Sequence, residues 1–102
     1  MALAVTSIAA GSTTAANGTT VDNGGGAKPG WTAVCTSTSG ISGGAFELQV
    51  SHDGTTWVSS GPVVVTASAE QAVTLGVGYR YARAVISTTV TGGTVGITVQ
   101  NG

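Results

Sequence analysis

The chain has 102 residues and a formal charge of −1, with only 7 % charged residues against 41 % hydrophobic ones. An average soluble domain carries roughly 25 % charge, so this chain has no basic stripe for a nucleic-acid backbone and no polybasic footprint for a membrane surface. Its length suits one domain with a two-layer core, and its near-neutral surface favours association over free diffusion.

Along the chain the apolar residues fall in strand-length runs. No window of a dozen residues keeps an i, i+3, i+4, i+7 apolar pattern while avoiding Gly and dense β-branching. The first expected strand covers 3–9, where Leu3, Val5 and Ile8 are the apolar positions. No Lys or Arg precedes Lys28, so this stretch does not resemble a secretory signal, which opens on a positive segment. A long irregular stretch follows to residue 30, marked by Asn17-Gly18, a run of three glycines at Gly24, Gly25 and Gly26, and Pro29-Gly30. Within it a short strand is expected at 19–22. From 31 to 38 the pattern alternates, with Trp31, Ala33 and Cys35 on one face and Thr32, Val34 and Thr36 on the other.

The clearest element comes next. Phe46, Leu48 and Val50 alternate with Glu47, Gln49 and Ser51, the period of a half-buried strand. Asp53-Gly54 then predicts a tight turn, because glycine takes positive φ without steric cost. The return arm is expected at 56–60, and Trp57 is expected to fold back as a core anchor near Phe46 or Leu48. Pro62 belongs at a strand start or edge. Further strands are expected at 63–66, 72–75, 79–87 and 94–100, the last two joined through Thr91-Gly92-Gly93. The expected fold class is therefore all-β: an antiparallel β-sandwich, jelly-roll-like, of about seven to nine short strands. Residues 1–29 would form an N-terminal strand and flexible Gly/Asn-rich arm, and residues 30–102 the sandwich domain. Its core would be built on Trp31, Phe46, Leu48, Val50, Trp57 and Tyr81, with Leu3, Val5 and Ile8 as interface candidates on the arm.

The search for chemistry finds no catalytic constellation. Ser51, His52 and Asp53 are triad residue types, but consecutive side chains on a strand point to opposite faces and cannot relay a proton. Cys35 and His52 are each the only residue of their type, with no ligand partners at metal-binding spacing. Asp22, Asn23 and Asp53 carry oxygens that suit calcium, yet no loop alternates acidic ligands up to a closing Glu. The three glycines lack the Lys-Ser/Thr of a phosphate loop and no helix follows them. A lone cysteine closes no intramolecular disulfide. No enzyme activity, metal or cofactor is expected. Trp31, Trp57, Tyr79 and Tyr81 are read first as core, since large aromatics dominate small cores; an aromatic platform for sugars is the alternative. One of Arg80 and Arg83 is expected to pair with Glu47 or Glu70.

The pattern Phe46-Glu47-Leu48-Gln49-Val50-Ser51-x-Asp53-Gly54-Thr55-x-Trp57, followed by Tyr79-Arg80-Tyr81-x-Arg83, resembles small β-sandwich accessory proteins of tailed-bacteriophage virions. It is more weakly similar to discoidin-like carbohydrate-binding jelly rolls, from which the chain departs in length, in its single cysteine and in its few loop aromatics. The likeness spans roughly residues 45–100 and speaks to fold more than to function. It implies a virion location after synthesis in the host cytoplasm, and a capsid decoration (cement) role. The implied partners are the major capsid protein and further copies of the chain, as a trimer. The alternative is a phage tail or fibre-associated, or free-standing, carbohydrate-binding module, the one case in which a glycan partner is expected.

Overall fold

The computed structural model describes residues 5–22, 30–66, 70–75 and 79–101. Among them there is no helix; two antiparallel sheets pack as a small β-sandwich. The strands are β1 (Val5–Ser12), β2 (Ala16–Asn17), β3 (Val21–Asp22), β4 (Trp31–Ser37), β5 (Gly43–Ser51), β6 (Val58–Ser59), β7 (Val63–Val64), β8 (Glu70–Leu75), β9 (Tyr81–Thr91) and β10 (Val95–Asn101). One sheet has the order β1-β10-β4-β8. The other runs β2-β9-β5-β6, with β3 also on β9 and β7 also on β5.

Period-two alternation explains the core. Trp31, Ala33 and Cys35 of β4, Phe46, Leu48 and Val50 of β5, Ala82, Ala84 and Ile86 of β9, and Val95, Ile97 and Val99 of β10 all point between the sheets and are buried. Each fully buried Val, Leu, Ile or Phe contributes about 1.5–3 kcal/mol, and the four central strands supply most of that area. The N–H of Trp31 finds an acceptor in the Tyr79 carbonyl at 2.9 Å, as a buried indole must.

Two expected core residues lie elsewhere. Trp57 and Tyr81 are half-buried and stand outside the core cluster. Register gives the reason. Ser59 pairs with Gln49 and Tyr81 with Ser51, so positions 57, 59, 81 and 83 share the outward parity of Glu47 and Gln49. The tight hairpin is also revised: Val50 pairs with Val58, leaving a loop at 52–57. Gly54 does take φ 78°, but as part of a side-chain-capped loop and not of a two-residue turn.

The described part of the expected arm, residues 5–22, is built into both sheets. β1 runs along β10, pairing Val5 with Val99 and Ile8 with Ile97, and shifts register twice. β2 and β3 then cross to β9, pairing Ala16 with Ile86 and Val21 with Ala82. Between them the Gly18 N–H donates to the Ala84 carbonyl at 2.7 Å and the Thr19 N–H to the Ser7 carbonyl at 2.8 Å. The buried Ser7 hydroxyl completes the stitch, donating to the Thr19 carbonyl (2.8 Å) and accepting the Ala84 N–H (2.9 Å). A Cβ on Gly18 would collide with the Ser7 hydroxyl and come within 2.7 Å of the Ala84 carbonyl. Asn17-Gly18 is thus a site of close approach and not simply a turn. Of the interface candidates, Ile8 is 6 % exposed and belongs to the core, Val5 is 40 % exposed at the sheet edge, and Leu3 lies outside the described residues, as do Asn23 and Lys28.

Candidate functional site

A sandwich presents two outer faces, and here they differ in kind. On the β1-β10-β4-β8 sheet the outward positions form cross-strand rows: Thr74 beside Thr32 beside Gln100, and Ala72 beside Val34 beside Thr98 beside Thr6. A third row sets Glu70 beside Thr36 beside Gly96. Apart from Glu70 at the β8 edge, the face has no charge among the described residues. Gly96 has no side chain to fill its place, and a Cβ there would come within 2.9 Å of Ala10. A shallow groove of about 270 Å³ opens nearby, lined by Thr6, Ala10, Thr36, Thr38 and Thr98 among others. Threonines give such a surface hydroxyls and methyls together, with little side-chain entropy to lose on contact.

The β9-β5 sheet carries the charges on its outer side. Arg83 Nε donates to Gln49 Oε1 at 2.8 Å, Gln49 Nε2 to Glu47 Oε2 at 2.8 Å, and the Ser59 hydroxyl to the same oxygen at 2.6 Å. The Arg83 guanidinium lies over the Trp57 ring, 4.1 Å from its centroid, and burial lowers its pKa from the ordinary arginine value. At the end of β9, Arg80 grips Asp22 with two hydrogen bonds (2.9 and 3.1 Å) and sits 5.1 Å from the Tyr81 ring centroid. Hydrogen bonding to Asp22 raises the Arg80 pKa further. The direct partner is therefore Asp22, not Glu47 or Glu70: β3 places Asp22 opposite Tyr81, whereas Glu47 reaches Arg83 only through Gln49.

Ser51, His52 and Asp53 form a loop cap. Asp53 Oδ1 accepts the Ser51 hydroxyl (2.9 Å) and the N–H groups of Thr55 (2.8 Å) and Thr56 (2.9 Å). The Ser51 oxygen in turn accepts the N–H of Gly54 at 2.9 Å. The two amides and the hydroxyl hold the Asp53 carboxyl down at about 2. His52 points to solvent and joins none of these bonds, so the three residues do not assemble as a relay. Cys35 is a buried free thiol whose pKa desolvation pushes up to about 11, which keeps it protonated and unreactive in the folded chain. Among the described residues no three of His, Cys, Asp and Glu gather as a metal site.

Neither outer face was visible in the search for motifs. The threonine face had one sequence signal, the polar but uncharged alternation of Thr32, Val34 and Thr36 with Gly96, Thr98 and Gln100. The Trp57–Arg83–Gln49–Glu47 network had none, because it depends on the β5–β9 register. Comparison with protein-family models, with curated proteins and with solved structures gives no match.

Proposed function

We propose that the chain is a non-enzymatic structural subunit that decorates the outside of a bacteriophage capsid and stabilises it, docking through the outer face of the β1-β10-β4-β8 sheet. The carrying observation is the sorting of charge: the rows around Thr98 and Val34 are neutral, while Asp22, Glu47, Asp53, Arg80 and Arg83 belong to the other sheet. A neutral face of threonine, alanine and valine can be desolvated against a partner without stranding ions, whose burial is costly unless they are paired. The partners follow from the resemblance to virion accessory proteins: the major capsid protein, and copies of the chain arranged as trimers. Such a subunit works by mass action, since binding only the assembled shell stabilises that shell. Imaging purified particles with and without the protein tests the proposal. Extra density on the capsid faces, oriented with the β1-β10-β4-β8 sheet inward, is the expected result. Density on the tail alone, or none, would overturn it.

A further inference from the structure

The opposite face of the sandwich carries a second arrangement that docking does not use. Trp57 differs from Trp31 in both respects that mark a core indole. It is half-buried rather than 1 % exposed, and its N–H has no acceptor among the described residues while remaining open to water. Arg83 covers one face of the ring. Its Nε is held by Gln49, so the two terminal nitrogens are presented in one orientation with no protein acceptor. Glu47 is fixed in the same way. Its Oε2 takes bonds from Gln49 and Ser59, and its Oε1 remains an open acceptor.

We infer that Trp57, Arg83 and Glu47 form a binding site for a neutral saccharide on the outer face of the β9-β5 sheet. The chemistry matches in three ways. A sugar hydroxyl both donates and accepts, so neighbouring hydroxyls can use the Arg83 nitrogens and the Glu47 oxygen together. The apolar C–H side of a pyranose suits an exposed indole, whose N–H adds one directed bond. The Glu47 carboxylate repels an anionic ligand that Arg83 alone would attract, which selects neutral sugars over acidic ones. The hydrogen bonds through Gln49 and Ser59 preorganise both charged groups, lowering the entropy lost on binding. The inference does not rest on the capsid proposal, because it concerns the other face and holds for the free protein.

The experiment follows the two indole N–H signals of the full chain by nuclear magnetic resonance during titration. The probes are maltotriose, mannotriose and chitotriose, with sialyllactose as the anionic control. At least one neutral trisaccharide at millimolar concentration should shift the Trp57 signal and leave that of Trp31 in place. Trp57→Ala and Arg83→Lys should each weaken that sugar by about tenfold or more, the second because lysine keeps the charge but loses the paired donors. Retained dispersion in the spectra shows that each variant is folded. Failure of all three neutral sugars to shift Trp57 overturns the inference, as does unchanged affinity in folded Trp57→Ala or a preference for sialyllactose.

Discussion

Replacing Ser7 with alanine should destabilise the domain far more than a serine near the terminus would suggest. The hydroxyl is 6 % exposed as part of its residue, and it joins the sheets by donating to the Thr19 carbonyl and accepting the Ala84 N–H. In Ser7→Ala the buried Ala84 N–H loses its partner, which costs about 1–3 kcal/mol. The Thr19 carbonyl belongs to an exposed residue and can turn to water, so its share is nearer about 0.5–1 kcal/mol. The sum, about 2–3 kcal/mol, is large against the roughly 5–15 kcal/mol of a whole domain. At about 4–8 °C per kcal/mol for a domain of this size, the melting temperature should fall by roughly 10–20 °C. Urea unfolding followed by tryptophan fluorescence measures it, with Thr6→Ala, an exposed neighbour on β1, expected to stay within about 0.5 kcal/mol of the parent. If Ser7→Ala matches Thr6→Ala, β1 does not bridge the sheets, and the N-terminal segment behaves as the loose arm its composition suggests.

Two further predictions concern the aromatic residues and the loop cap. Trp31→Ala should cost about 3–5 kcal/mol, the range for emptying a buried aromatic site. Trp57→Ala should cost only about 1–2 kcal/mol, from partial burial and the contact with Arg83; equal losses in thermal unfolding would place both rings in the core. The Asp53 carboxyl sits at about 2 in the folded chain against roughly 3.9 unfolded. Its stabilisation is therefore fully present above pH ~4 and is lost as pH falls through about 2. The Thr55 and Thr56 amide signals should titrate with a midpoint near that lower value, and a midpoint near 4 would mean the cap does not form.

The sandwich was legible because its central strands obey one simple rule. Trp31-Thr32-Ala33-Val34-Cys35 and Phe46-Glu47-Leu48-Gln49-Val50 each alternate cleanly, and burial follows that alternation residue by residue. What failed to show was everything set by register between distant segments. Trp57 looked like core because it is large and follows a turn, yet pairing of Ser59 with Gln49 turns it outward. Residues 5–22 looked like an arm because glycine, threonine and asparagine give no periodic signal. Their place depends on Ser7 and Gly18 meeting Ala84, contacts separated by 77 residues in the first case. β9 also runs to Thr91, past its expected end at 87, since Ser87, Thr88 and Thr89 are polar but suit an extended strand. The outer faces, where function is proposed, are the parts least constrained by burial and therefore the least readable.

The most direct measurement of the central claim is occupancy on particles lacking the chain, titrated with the parent protein and two single-charge variants. Thr98→Lys places a cation in the middle of the neutral face, and Thr55→Lys places one in the exposed loop after β5. The parent should bind with little loss up to about half-molar salt, where surface charge is screened. Thr98→Lys should bind at least about tenfold more weakly, with Thr55→Lys unchanged. Full occupancy by Thr98→Lys, or release of the parent by moderate salt, would contradict docking through the threonine face.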